Sequence, residues 1–323
     1  MSDLTHSTPM TRDTPATRQR TLRQRFFAGP LPWLLPALIA LGIMRVYPVL
    51  AQFQISLTDM RITSPNSYNF IGLSNYQFVL TDPLFIDSLG WTVLFVAIGV
   101  PLQFAAGFGL ALLLNQPLVG RLVFRLAIMS GWVISGLIIG YMWRLILAEN
   151  SAGVLNAWLG TIGISPQRFL SLPENARAAL IVVDLWRSVA FSMVFMLGGL
   201  QTLPTEMMEA ARVDGANLWQ RLVKIIIPYL RPIIALNVIF IAIGTFNIYE
   251  LIVALTGGGP ARATQTIGYR MFETAFGGAR LAGVSGDLGR GAAIGNIMFL
   301  IVMVFTILYL WVWVFRNEDS SQS

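Results

Sequence analysis

The sequence has no cysteine, one histidine and one lysine in 323 residues. Without cysteine there is neither a disulfide framework nor a thiolate metal site. The lone histidine, His6, lies in a polar N-terminal stretch, which excludes histidine chemistry in a buried site and a zinc centre of the usual Cys/His kind. A phosphate-binding loop needs Gly-Lys-Ser/Thr, and the only lysine, Lys224, follows Val223. Charge of either sign is scarce: 12% of the residues are Asp, Glu, Lys or Arg, against about 25% in soluble domains.

Apolar residues fill the gap. They make up 55% of the chain, and the mean hydropathy is +0.66. Several runs reach about 20 residues, the length that crosses a bilayer. They predict an all-α integral membrane protein with six spanning helices, at about 31–53, 89–114, 122–147, 176–200, 229–255 and 291–315, and no β-domain. Pro32 and Pro36 suit the opening turns of the first, Pro48 is expected to kink its far end, and Pro101 to interrupt the second.

Charge orients these helices. Arg12, Arg18, Arg20, Arg23 and Arg25 precede the first run, against Asp3 and Asp13. A basic arm can meet nucleic acid or anionic lipid, but placed before an apolar run it holds that end in the cytoplasm, so no nucleic-acid partner is expected. The 56–88 segment carries Asp59, Asp82 and Asp87 against Arg61, whereas 200–231 carries Arg212, Arg221, Lys224 and Arg231. The pattern predicts N-in, C-in topology with the 200–230 loop cytoplasmic. Residues 1–28 are expected as a disordered basic tail, 29–316 as the membrane domain and 317–323 as a short cytoplasmic tail.

The charged interlude Glu206-Met-Met-Glu-Ala-Ala-Arg-Val-Asp-Gly-Ala216 breaks this apolar chain. Pro204 fits a helix start, and Glu206 and Glu209 fall where the helix dipole favours anions. Met207, Ala210 and Ala211 form a small, adaptable face, and Asp214-Gly215 is a turn signal. A second amphipathic stretch, Leu218–Ile227, leads through Pro228 into the fifth run. By pattern alone this is a helical hairpin that lies either on lipid or against another protein.

The residues themselves carry a resemblance. Glu209-Ala210-Ala211, Gly215, Ile225 and Pro228 resemble the "EAA" loop in permease subunits of ABC importers of the maltose type. Four other segments, in the family's order, are similar to it: Phe70-Ile-Gly-Leu-Ser-Asn-Tyr76, Trp143-Arg144 with Gly153 and Asn156, Thr256-Gly-Gly-Gly-Pro260 with Thr264, and Asp287-Leu-Gly289 with Ala292-Ala293. Gly131 before Trp132 stands where the family usually has Pro, Arg45 where an apolar residue is usual, and the stretch 277–286 is longer than usual.

The resemblance implies a type I ABC importer permease in the bacterial inner membrane, taking up a carbohydrate or polyol-like solute. The EAA loop would be a coupling helix in a cleft of an ATP-binding subunit, with Glu206, Glu209, Ala210, Ala211, Asp214, Gly215 and Pro228 building it. It also implies a second permease subunit as heterodimer partner, two ATP-binding subunits that use ATP and Mg, and an extracytoplasmic solute-binding protein. The chain itself would hold no metal, cofactor or catalytic residue.

Polar residues inside spans mark a pathway or glue helices together. Asn237, Gly244 and Asn247 lie within about 80° on a continuous fifth helix, with Tyr249 and Glu250 following. Asp184 and Arg187 are spaced for an internal ion pair. Arg45 suits either a carboxylate on a partner permease or an anionic substrate group. An ion-coupled secondary transporter is the alternative reading, favoured by midplane acids and an inverted repeat. Asp184 is the one deep acid, and no clear repeat is present.

Overall fold

The computed structural model describes residues 31–150, 153–277 and 286–312. The expected tails 1–28 and 317–323 lie outside them. The chain divides after Ala51 into two units.

The first unit contains α1 (Leu31–Leu41), a π-helical turn (Gly42–Val46) and the start of α2 (Tyr47–Ser56). Trp33–Ser56 is long and apolar enough to cross a membrane. Pro48 lies in the first turn of α2, directly after the π turn, in which the Tyr47 N–H bonds Gly42 O. Arg45 lies in that turn and is exposed.

The second unit is helical among the described residues, with β pairing confined to isolated bridges such as Thr58 with Phe70. A short helix, α3 (Ser74–Thr81), precedes α4 (Pro83–Leu114). The second span therefore begins before the expected Leu89. The Asp82 side chain caps it by accepting the Leu84 N–H, and Pro83 takes the first position. Pro101 does not interrupt this 32-residue helix.

The expected third span is two helices, α5 (Arg121–Val133) and α6 (Gly136–Ile146), bent by 100°. Ile134 and Ser135 are extended at the break, with ψ of 138° and 139°, so the bend forms without the family's proline. After α7 (Val154–Thr161), Pro173 opens α8 (Pro173–Leu200).

The charged interlude gives α9 (Thr205–Val213), α10 (Leu218–Arg221), a π turn (Leu222–Ile226) and α11 (Ile227–Tyr229). The π turn has a cause: Pro228 offers no N–H to Lys224 O and crowds that carbonyl, and the Ile227 N–H bonds Leu222 O. Leu218–Tyr229 then meets α12 (Arg231–Phe246) at 76°.

The expected fifth span, 229–255, is likewise not one helix. It stops at Asn247, whose side chain turns back to Ile243 O at 2.8 Å, and resumes at α13 (Glu250–Leu255). The rest is α14 (Ile267–Phe276) and α15 (Leu288–Leu310). Among the described residues, four helices are long and apolar enough to cross a membrane, or up to six if each bent pair is one span.

Among the described residues, four apolar clusters hold the second unit, the smallest of them Val100 with Ile241 and Ala242. The one nearest the hairpin joins Phe108, Ala111 and Leu114 of α4 to Met193, Met196, Leu197 and Leu200 of α8, and to Ile226, Leu230 and Ile234. Gly107 sets the approach of α4 to α8: a Cβ there would sit 2.4 Å from Ser192 Cβ. A second core joins Trp91 and Phe95 to Ile139, Leu180, Leu251 and Tyr269. The third joins Phe85 and Val79 to Ile267, Ala293 and Ile294.

Candidate functional site

Two polar regions bear on function. The first is the hairpin. Helix α9 begins at Thr205, with Pro204 extended just before it instead of in its first turn. Glu206 lies in the first turn and Arg212 in the last, so both charges match the helix dipole. The helix ends in a Schellman turn: Gly215 N–H donates to Arg212 O at 3.1 Å, and Ala216 N–H to Ala211 O at 2.9 Å. Gly215 takes φ +78°, a conformation that costs a residue with a Cβ.

The next turn is fixed by a capping box. Asn217 Oδ1 accepts the Gln220 N–H at 2.8 Å, and Gln220 Oε1 accepts the Asn217 N–H at 2.9 Å. The spacing Asn-x-x-Gln that makes this box is readable in the sequence.

The expected common face of Met207, Ala210 and Ala211 is split. Ala211 is buried against its own chain and Met208 packs on the core, while Glu206, Glu209, Ala210 and Asp214 are exposed. Glu209, Arg212 and Arg221 line an open cavity of about 810 Å³ between the hairpin and the end of α4, floored by Leu112, Leu203 and Ile226. Pro228 is exposed at the join to α12.

The second region lies among the long helices. Asp184 is buried, and its carboxylate accepts Gln103 Nε2 at 2.8 Å and Ser188 Oγ at 3.2 Å. Gln103 Nε2 also reaches Thr245 Oγ1 at 3.3 Å. The direct Asp184–Arg187 ion pair is not formed: among the described residues, the ion pairs are Arg270 with Asp82 and Glu273, and Arg290 with Asp287. Asp184 is met by neutral donors instead, and Arg187 Nε is buried without a hydrogen-bond partner. A Cβ on Gly136 would lie 3.1 Å from Glu250 Oε2 and 3.4 Å from Arg187 Cζ, so both charged groups approach the break between α5 and α6.

Gln103, Asp184, Arg187, Ser188 and Thr245 line a cavity of about 360 Å³, closed on its apolar side by Trp132, Phe191 and Phe240. Donors, acceptors and aromatic faces together suit a polyhydroxylated solute. Gly244 of the expected set lines this cavity. The other expected residues are not gathered there. Asn237 is fully buried, and its Oδ1 accepts Ser192 Oγ at 3.0 Å, a helix-to-helix contact. Asn247 and Glu250 do not share a helix face, because the break falls between them. Glu250 opens α13, where the dipole favours an acid. Tyr249 stacks on Phe272 at 5.1 Å. The sequence signal for Gln103 was available: it is an amide inside an apolar span, the kind of residue that faces a bundle interior.

At the other end of these helices, Arg270 meets Asp82 at 2.6 Å, and Thr266 Oγ1 donates to Ile248 O at 3.0 Å in the break of the fifth span. Glu149 holds the loop before α8. It accepts the Ser171 hydroxyl and the N–H groups of Leu170 and Ser171, the first N–H at 2.9 Å. Burial raises the Glu149 carboxyl, but these bonds outweigh it, so it titrates below its ordinary value. Asp59, bonded to Asn69 through the backbone N–H at 2.5 Å and the side chain at 3.1 Å, is lowered by the same kind of contact. Among the described residues, no group of three or more acidic or histidine side chains is placed to hold a metal ion.

Residues 103–313 match the family described as the binding-protein-dependent transport system inner membrane component. The chain belongs to that family. It is a multi-pass inner-membrane transport component and not an enzyme. The trehalose/maltose transport system permease protein MalF of Thermococcus litoralis is 35% identical to this permease chain over 285 residues, covering 88% of the chain and 93% of that protein. The sulfoquinovosyl glycerol transport system permease protein SmoG of Agrobacterium fabrum is 33% identical over 307 residues, covering 94% of each. The fold is that of a chain in a bacterial alginate ABC transporter, crystallised with an alginate pentasaccharide-bound periplasmic protein. The TM-score is 0.73 at 21% identity, covering 90% of this permease chain and 96% of that one.

Proposed function

We propose that this permease is one membrane subunit of an ATP-binding cassette importer for a carbohydrate or polyol-like solute. Six crossings, with both ends in the cytoplasm, put the 201–228 hairpin on the cytoplasmic face as the coupling element. The observation that carries this reading is the construction of the hairpin. A helix with exposed Glu206, Glu209 and Ala210 is closed by the Gly215 turn and locked by the Asn217–Gln220 box. It is thus a rigid projection, anchored through Met208 to the core that also holds α4 and α8, with Ala211 buried.

The rest of the machine follows from what the chain lacks and what its relatives are named for. ATP and Mg are used by two separate ATP-binding subunits, a second permease completes a heterodimer, and an external binding protein delivers the solute. Carbohydrate is the substrate class because sugar-named permeases are 35% and 33% identical over nearly the whole chain, and because the Gln103–Asp184 cavity pairs polar groups with Trp132, Phe191 and Phe240. The solute passes this cavity, with Asn247, Tyr249 and Glu250 nearer the break of the fifth span. Arg45 acts at a partner permease or on an anionic group of the solute.

The test is reconstitution with the partner subunits. Glu209→Lys and Gly215→Pro leave the helices inserted but uncouple substrate-stimulated ATP hydrolysis from uptake. Unchanged uptake in both variants overturns the assignment.

A further inference from the structure

We infer that the second arm of the hairpin, Leu218–Tyr229, is a lipid-interface anchor seated in the anionic headgroup layer of the cytoplasmic leaflet. This rests on the hairpin being cytoplasmic, as proposed above, and divides the hairpin's work: the first arm faces the motor and the second faces the membrane.

The direction of the arm is the first observation. It meets α12 at 76°, so a crossing α12 leaves the arm running near the membrane plane. Its sidedness is the second. Ile226 and Leu230 point into the core with Phe108 and Met193. Trp219 and Val223, four residues apart, are 71% and 42% exposed. Tyr229 is also partly exposed, and its hydroxyl donates to Thr202 O at 3.0 Å. Trp and Tyr with one apolar and one wet end are the side chains that settle at a membrane–water boundary.

Charge is the third observation. From Gly215 to Tyr249 there is no Asp or Glu, while Arg221, Lys224 and Arg231 lie in that stretch. Lys224 is exposed and, among the described residues, enters no ion pair, whereas Arg221 lines the cavity beside Glu209 and its Nε is buried without a hydrogen-bond partner. The first arm differs, with Glu206, Glu209 and Asp214 beside Arg212. Apolar side chains flanked by cations only are the pattern of an interfacial segment on anionic lipid. A cation near such a surface adds about 1 kcal/mol, or about fivefold in binding. Anchored this way, the arm gives α9 a fixed pivot, so that a push on α9 tilts α12.

This chain has no cysteine, so with cysteine-free partner subunits a single introduced cysteine is the one labelled site. The assembled transporter is placed in vesicles with phosphatidylglycerol. A spin label at Val223→Cys is expected to meet oxygen more than a water-soluble nickel complex. Fluorescence assigned to Trp219, by difference from Trp219→Phe, is expected to be quenched by brominated lipid. Lys224→Gln is expected to lower the nickel protection of the Val223 label several-fold, and vesicles of phosphatidylcholine alone to do the same. An aqueous Val223 label, or one shielded only when the ATP-binding subunit is added, overturns the anchor and assigns this face to the motor. Val213→Cys tests the underlying reading separately: labelling by an impermeant maleimide from the outer side only overturns the cytoplasmic placement itself.

Discussion

Gln103 Nε2 lies 2.8 Å from Asp184 Oδ2, joining α4 to α8 through a buried amide–carboxylate bond. Thr245 of α12 meets the same amide at 3.3 Å, so three helices converge on one polar centre. Removing Gln103 leaves the buried Asp184 carboxylate with the longer Ser188 bond, at 3.2 Å. A buried group left unpaired costs about 1–3 kcal/mol. Gln103→Leu is therefore expected to lower thermal stability by about that amount and to slow uptake, while Gln103→Asn restores part of both. Unfolding and uptake measured on the same preparations check this.

The contact of α4 with α8 is set by one residue without a side chain. A Cβ on Gly107 would fall 2.4 Å from Ser192 Cβ and 2.9 Å from Met193 N, whereas one on Gly109 would meet nothing within 4 Å. Gly107→Ala is expected to cost about 1–3 kcal/mol as an overpacked contact, and Gly109→Ala to be neutral or slightly stabilising. Equal effects in thermal denaturation would show that the two helices do not approach as described.

These two sites show what was legible in the chain. Apolar run length placed the long helices to within a few residues at most ends, and the EAA-like residues marked the hairpin. The breaks were hidden because Ile134-Ser135 and Asn247-Ile248-Tyr249 have no proline, and apolar periodicity runs through them. The break at Asn247 depends on its side chain competing for Ile243 O and on Thr266 Oγ1 from a distant loop taking Ile248 O. That second partner lies 18 residues away in sequence and leaves no local pattern. The Asp184–Arg187 spacing, in turn, said nothing about Gln103, which lies 81 residues from Asp184.

The hairpin turn carries its own test. Asn217→Ala removes one half of a reciprocal cap, a change that costs about 0.5–2 kcal/mol. It is expected to speed hydrogen exchange at Gln220 and the following amides, and to reduce the coupling of hydrolysis to uptake. Asn217→Ser, which can still accept the Gln220 N–H, restores both. Exchange unchanged in the alanine variant would mean the box does not hold the second arm.

Glu149 gives a pH dependence whose sign is fixed. Its carboxyl is lowered from 4.5 in the folded chain. The stabilisation it brings is fully present above about that pH and is lost as pH falls through the folded value. The loop at Leu170–Ser171 is expected to become protease-sensitive on acidification, and Glu149→Gln to be sensitive already at neutral pH with the dependence reduced. Proteolysis of the assembled transporter against pH measures this.

The central claim is that the exposed side of α9 docks on an ATP-binding subunit while its other side belongs to the permease. Ala210 is exposed and Ala211 is buried, so neighbouring residues report opposite sides. Ala210→Cys and Ala211→Cys are compared for disulfide cross-linking to a cysteine in the cleft of the ATP-binding subunit, in the assembled transporter. The account predicts a cross-link from position 210 that changes with nucleotide state and none from 211. A cross-link from 211 alone, or from neither, contradicts it.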